Sequence, residues 1–502
     1  MNLIIRKIYS TDFSKNIFGS IHFIACIGFF LRIWLVFFSD YIYYPDELYS
    51  YLEQAHRLVF GYGYIVWEYR FGLRSWFIPG ILSCPLFILK WLNLDDPNIY
   101  INVIKVICCS FSLSLIYTTY IVGKNIFSER VGKFASISVC FWYELIIFSS
   151  RPMPEVLATY CFMGALACAV NGVNKTKPYL FGLLLSLTVM LRLQYFFAII
   201  VLGGYYFLKE KNINILKAIA SVGLVFLLFG YLDYVTWGGF FYSFYANFLY
   251  NKTYGISKYF GVAPFYSYLI YITIVSMGVF MVSFCENIYL AIKKKHCSLL
   301  LLCLLSIIIT NSFFMHKEYR FIFICIPLFL LLYFSQNVSK IVSATALLFI
   351  ISLAGAMNFV PFLRYAYTHH IYYESDSLKA YKFLYKEKEL ISILNLYDRE
   401  VAWTGGYYYL HHNVPIYFLN DVKEKKILSQ NYKFIFSHII TKNSDAEANQ
   451  YLNDFEVVAQ LNDLKMWKNS DSKLIKIKLE DTAQVPFPIV DNYFKPFVKP
   501  HI

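Results

Sequence analysis

The sequence predicts a mainly α, polytopic membrane protein, with about eleven transmembrane helices and a C-terminal soluble α/β domain. Three observations carry this. Of 502 residues, 58% are hydrophobic and 20% aromatic, more apolar surface than one globular core can bury. Apolar runs of roughly 18 to 25 residues recur from Ile21 to about Pro361, and in hydrocarbon such runs satisfy their backbone only as helices. From about Arg364 charged residues become frequent and apolar runs shorten to strand length, as in Glu400 to Trp403 and Val414 to Leu419. The domains are therefore 1–361, membrane-embedded, and 362–502, soluble.

The apolar run 21–39 follows Arg6, Lys7 and Lys15 in the manner of a signal peptide, but it contains Arg32 and lacks a small-residue cleavage site, so it reads as an uncleaved first helix. With residues 1–20 cytoplasmic, the segment 40–100 lies on the luminal or periplasmic side. Residues 77–93 read as an interfacial or re-entrant helix, because counting them as a span would put Lys124, Arg130 and Lys133 outside. Helices near 102–123, 131–150 and 156–173 follow, and then two short helices within 178–208 that meet near Arg192. A helix at 218–236 leads to an aromatic luminal loop, 237–263, then a long helix 265–291 and helices 298–314, 321–335 and 341–361.

The net charge of +13 is spread over short loops, which fits positive-inside topology and not nucleic-acid binding. All eleven cysteines precede residue 326, mostly within apolar runs, and read as core packing. There is no CxxC pair, and the neighbours His369-His370 and His411-His412 point different ways on any regular element, so neither a metal nor another cofactor is predicted.

Chemistry-bearing residues cluster on one side of the membrane. Asp46 and Glu47 follow Pro45 just past the first helix; one of them can be a base, or the pair can complement a helix dipole. Next come His56-Arg57, Phe60-Gly61-Tyr62-Gly63-Tyr64, Trp67-Glu68 and Arg74, cations among aromatics that suit a lipid-phosphate headgroup or a sugar, or else an interfacial belt. His316-Lys317-Glu318-Tyr319-Arg320 sits between two apolar helices, either as a phosphate site with Glu318 orienting Arg320 or Lys317, or as snorkelling helix ends. Arg32, Arg151 and Arg192 lie in or at the luminal ends of membrane segments; pairing is the alternative to function, with Glu155 one turn beyond Arg151 as a partner.

Together Pro45-Asp46-Glu47, the stretch His56 to Gly63, Trp67-Glu68, Leu73-Arg74-Ser75 and His316 to Phe321 resemble the glycosyltransferase 22 family of GT-C mannosyltransferases. Within that family the stretch from Phe60 is most similar to the branch that adds the third, α-1,2-linked mannose of the GPI anchor, although Tyr44 and Leu48 replace the His and the aromatic that many members carry. The resemblance implies transfer of mannose, with inversion, from polyprenyl or dolichyl phosphate mannose to a lipid-linked glycan. It implies Asp46 as base with Glu47 second; His316, Lys317 and Arg320, then Arg151, Arg192 and Arg32, on the donor phosphate; and His56, Arg57, Tyr62, Trp67, Glu68, Arg74 and Glu318 binding or positioning substrate. A phosphate leaving group needs cations more than a metal. The compartment implied is the endoplasmic reticulum in a eukaryote or the inner membrane in a bacterium, with a luminal or periplasmic site. A transporter or flippase of lipid-linked intermediates is the alternative, but the internal repeats such proteins carry are not visible in the sequence.

Overall fold

The computed structural model describes residues 20–38, 42, 44–171, 176–295, 298–366, 376–397, 404–418, 436–444, 452, 455–461 and 463–469. The N-terminal cations, the expected strand 400–403 and the pair His369-His370 lie outside them. The chain divides into two compact units, one of Met1–Phe38, Lys105–Tyr231 and Phe248–His369, the other of Ser39–Ile104, Leu232–Asn247 and His370–Ile502.

The first unit is helical. Among the described residues two helices are long and apolar enough to cross a bilayer, Pro97–Ile126 and Asn212–Trp237, and two bent pairs qualify when each pair is taken as one span. Other apolar helices are shorter, among them Pro154–Val170, Lys177–Leu191 and Leu299–Phe313. Large apolar side chains such as Leu208, Ile292, Phe313 and Val342 are exposed on these helices, as lipid contact requires. The cysteines divide: Cys108, Cys109, Cys140, Cys303 and Cys325 are buried, whereas Cys26, Cys84 and Cys285 are exposed and do not pack a core.

The breaks in these helices have local causes. The run expected as one helix over 131–150 is two, Glu129–Phe141 and Tyr143–Ser150, bent by 60°. Trp142 is extended there, and Ser352 repairs the ladder: its hydroxyl donates to Phe141 O at 2.7 Å and accepts from Tyr143 N at 2.9 Å. The long helix expected over 265–291 is also two, Ser267–Val275 and Val279–Lys294, bent by 120°. Here Met277 and Gly278 both adopt positive φ (49° and 85°), which terminates the first helix. The aromatic segment expected as a loop contains a helix, Tyr242–Tyr254, and a 3₁₀ turn, Ile256–Phe260. As expected, Lys177–Leu191 and Phe196–Lys209 meet at Arg192, which is extended (φ −145°, ψ 96°).

In the second unit the chain turns helical at Pro45, runs as a π-helix over Glu47–Leu52 and continues as an α-helix over Glu53–Phe60. The wider π turn puts six consecutive residues, Glu47 to Leu52, into buried surroundings. Phe77–Trp91, the segment expected at the interface, is a helix of 15 residues. Tyr69, Trp76 and Trp237 form a buried aromatic cluster.

The C-terminal part of this unit is α/β as expected. Among the described residues it has two helices, Asp376–Leu384 and Gly406–Leu410, and five strands: β1 Ile393–Asn395, β2 Ile416–Phe418, β3 His438–Lys442, β4 Phe455–Leu461 and β5 Leu464–Asn469. The strand order is β2-β1-β3-β5-β4; β1 is parallel to β2 and β3, while β5 runs antiparallel to β3 and β4. Leu394, Ile439, Phe455 and Trp467 supply its core.

Candidate active site

The acidic pair opens the π-helix. Glu47 is buried (3% exposed), with its N–H donating to Tyr44 O at 3.0 Å, whereas Asp46 is half-buried. Glu68 ties this helix to the loop that follows it: its carboxylate accepts from Ser50 Oγ at 2.8 Å and from Arg74 Nη2 at 2.7 Å. Burial opposes the Arg74 charge, but Glu68, Tyr51 and Asp46 more than restore it and raise its pKa above the usual value. A permanent cation therefore stands beside Asp46.

The aromatic stretch is held mainly to the protein itself. His56, fully buried, donates from Nδ1 to Tyr62 O (3.3 Å), so its Nε2 accepts from His411 Nδ1 (3.0 Å). Burial foremost, then the neighbouring His411, lowers the His56 pKa to about 3, so the ring is neutral. Tyr62 packs edge-on against His56 and Tyr407, and Arg57 donates to Gln54 Oε1 at 2.9 Å. Trp67 begins a short helix, Trp67–Arg70.

The sequence did not single out Glu53. Its buried carboxylate accepts three backbone N–H groups, from Tyr64 (2.9 Å), Tyr407 (3.2 Å) and Tyr408 (2.8 Å). Tyr49 OH, four residues earlier, donates to Thr404 O at 2.8 Å, and Tyr100 OH to Tyr408 O. The segment 404–411 is thus clasped to the helix that carries the acidic pair. Gly405-Gly406 before three tyrosines was the available signal: Gly406 has φ +58°, and a Cβ there would lie 2.8 Å from Glu53 Oε2.

In the first unit the cations form a chain of alternating charge, buried at Glu155, Arg192 and Arg320 and part-buried at His316 and Glu318. His316 Nε2 meets Glu318 Oε1 at 2.7 Å, and Glu318 Oε2 meets Arg320 Nε at 2.6 Å. Arg320 Nε also lies 3.7 Å from Glu155 Oε1, which in turn meets Arg192 Nη1 at 3.2 Å. Glu318 therefore pairs with Arg320 and His316, and Glu155 with Arg192 and Arg320. Burial disfavours charge on His316, but its hydrogen bond and pairing with Glu318 prevail and raise its pKa. The guanidinium carbons of Arg192 and Arg320 lie 4.5 and 5.5 Å from the centre of the Phe321 ring, and Tyr195 OH donates to Phe321 O at 3.0 Å.

Four buried polar atoms around this chain have no hydrogen-bond partner among the described residues: Nε and Nη2 of Arg192, Oε2 of Glu155 and the hydroxyl of Tyr268. Leaving a buried donor or acceptor bare costs about 1–3 kcal/mol each, which makes their surroundings the candidate position for a ligand. Lys317 sits beside the chain with its ammonium on Ala263 O (2.9 Å) and Phe314 O (2.5 Å). Arg151 is buried where a short 3₁₀ turn ends, Phe148–Ser150. Arg32 behaves as a packing residue: it is 1% exposed and donates to the carbonyls of Gly28 (2.9 Å), Cys140 and Val139 (both 3.4 Å). Among the described residues no three His, Cys, Asp or Glu side chains converge at metal-ligand distance.

A mainly helical body with broken apolar helices, a cation chain and a small C-terminal sheet defines a multi-pass membrane protein of a fold already seen in solved structures. A crystal structure of ArnT from Cupriavidus metallidurans bound to undecaprenyl phosphate superposes with a TM-score of 0.57 at 8% identity, over 88% of this chain and 97% of that one. The apo oligosaccharyltransferase of Archaeoglobus fulgidus gives 0.51 at 11% identity, over 84% of this chain and 69% of that one. At these identities the likeness is one of fold. The sequence profile of the Alg9-like mannosyltransferase family matches residues 23–411, and the chain belongs to that family. The match ends at His411, so the clasped segment lies within the region the family shares.

GPI mannosyltransferase 3 of Yarrowia lipolytica is 24% identical over 310 residues, 57% of this chain and 56% of the relative. GPI alpha-1,2-mannosyltransferase 3 of Mus musculus is 23% identical over 318 residues, 62% of this chain and 58% of the relative. The chain thus spans less than two thirds of the length of these relatives.

Proposed function

We propose that the protein is an inverting glycosyltransferase that moves mannose from polyprenyl or dolichyl phosphate mannose to a hydroxyl of a lipid-linked glycan, forming an α-mannosidic bond. The observation that carries this is the charge chain from His316 to Arg192, in which buried Arg192 keeps two N–H donors unpaired against the Phe321 face. A planar guanidinium with free donors suits two phosphate oxygens at once, and a water-poor setting strengthens the contact. Family membership and relatives named for mannose transfer to GPI support the sugar and the acceptor class. The structural neighbour bound to undecaprenyl phosphate supports a lipid-phosphate donor.

In this reading the acceptor oxygen attacks the anomeric carbon on the face opposite the phosphate. The bond from that carbon to the phosphate oxygen breaks, and its electron pair leaves with the lipid phosphate. Asp46 takes the hydroxyl proton, favoured over Glu47 because Glu47 is buried and Asp46 is half-exposed. Arg192, Arg320, His316 and Lys317 balance the charge on the leaving phosphate; Arg151 is a further candidate, and Arg32, spent on carbonyls, is the weakest. Glu68 and Arg74 position Asp46, while His56, Arg57, Tyr62 and Trp67 shape its loop. The membrane region crosses the bilayer about eleven times, with the site on the luminal side of the endoplasmic reticulum or the periplasmic side of an inner membrane.

The two bent helix pairs are features also found in transporters, which keeps the flippase reading as the competitor. Binding of labelled polyprenyl phosphate to the purified protein tests the cation chain. Arg192→Gln removes the unpaired donors and is expected to weaken binding about 10- to 100-fold, the loss of a charge-assisted pair. Unchanged affinity would move the phosphate elsewhere.

A further inference from the structure

The unpaired atoms around Glu155 are of two kinds. Arg192 Nε and Nη2 can only donate, and a phosphate, rich in acceptor oxygens, would satisfy them. As a carboxylate oxygen Glu155 Oε2 can only accept, and the ionised oxygens of a phosphate offer it nothing but repulsion. The residue is 2% exposed at the first turn of the Pro154–Val170 helix, and its other oxygen is already committed to Arg192 and Arg320. Any ligand that settles both oxygens of this carboxylate and the free edge of Arg192 must bring phosphate oxygens and, next to them, a hydroxyl donor. A sugar attached to the phosphate has this composition at any pH; a bare lipid phosphate has it only while monoprotonated, below its second pKa of about 6.

We infer that Glu155 is a specificity-determining residue, whose Oε1 holds the Arg192 and Arg320 guanidiniums together while its Oε2 accepts a hydroxyl of the sugar carried on the bound phosphate. The site then distinguishes the loaded donor from the spent lipid phosphate, so the product does not compete with the donor on equal terms. Tyr268, fully buried beside Arg192 and Glu318 with its own hydroxyl unpaired, completes the polar lining around the same ligand. This inference rests on the lipid-phosphate donor proposed above.

The test is a binding series in detergent with polyprenyl phosphate mannose, its single-deoxy analogues and unloaded polyprenyl phosphate, on wild type and Glu155→Gln. A hydrogen bond from a neutral donor to a buried carboxylate predicts that one deoxy analogue binds wild type about 10- to 100-fold more weakly than the parent. Glu155→Gln should lose this discrimination while it still binds the unloaded lipid. Deoxy analogues that all bind wild type as the parent does, or a Gln variant that still rejects the same analogue, would overturn the role of Glu155. Wild-type protein that binds neither lipid would instead fail the donor reading. Where Glu155→Gln does not fold, Glu155→Asp keeps the charge and withdraws it by one methylene, and the same two outcomes decide.

Discussion

Glu53 offers the sharpest test of how the acidic helix is held. Its carboxyl is fully buried and meets three backbone N–H groups, two of them from Tyr407 and Tyr408. Burial pushes its pKa up from 4.5 to about 7, against the pull of those donors. Glu53→Ala strips the acceptors; at about 1 kcal/mol for each donor left bare the local loss is about 3 kcal/mol, or roughly 100-fold in opening. Hydrogen exchange of the Tyr407 and Tyr408 amides, read by mass spectrometry at pH 6 where wild type carries little charge to relieve, should accelerate by that factor. Exchange unchanged within about threefold would refute the clasp. Glu53→Gln separates charge from contact. The unfolded chain releases this proton near 4.5 and the folded one near 7, so between those values the folded state holds more protons. Wild-type stability conferred by this group is complete below 4.5 and falls as pH rises through 7. The Gln variant lacks that slope, and so gains on wild type by up to about 3 kcal/mol across the window. Parallel stability profiles would show that the carboxyl is not buried as described.

Two further outcomes follow from the geometry. Because Glu318 raises the His316 pKa above its ordinary 6.5, donor affinity should be full at low pH and fall as pH rises through the raised value; His316→Gln should flatten that profile, measured by lipid-phosphate binding between pH 5 and 9. Gly406→Ala places a Cβ at φ +58° and 2.8 Å from Glu53 Oε2, so thermal stability in detergent should drop by about 1–2 kcal/mol, with a larger loss for Gly406→Val.

Much of this was legible because the bilayer restricts what a chain can do. About thirty apolar residues around Arg192 exceed one span, and a charge mid-run suits a place where the helix breaks, which is what the Lys177–Leu191 and Phe196–Lys209 helices do. The break at Met277-Gly278 was not legible: every residue around it is apolar or small, no proline marks it, and positive φ at Met277 is a tertiary outcome. Glu155 was read as a partner for Arg151 one turn away, because helical spacing is the only proximity a sequence displays. Its ion pairs instead reach Arg192 and Arg320 on other elements, which packing alone could reveal. Glu53 and the segment 404–411 escaped for the same reason: a glutamate inside an amphipathic helix looks solvated until two of the backbone donors it serves arrive from 354 and 355 residues away.

The central claim is tested most directly by sugar transfer itself. Purified protein would be given labelled polyprenyl phosphate mannose and a panel of lipid-linked acceptors, with wild type compared to Asp46→Asn and the anomeric configuration of the product read by NMR. The account predicts an α-linked product from wild type, and no product from Asp46→Asn although that variant still binds donor. Wild type that binds donor but transfers to no acceptor, or Asp46→Asn that transfers normally, would contradict it.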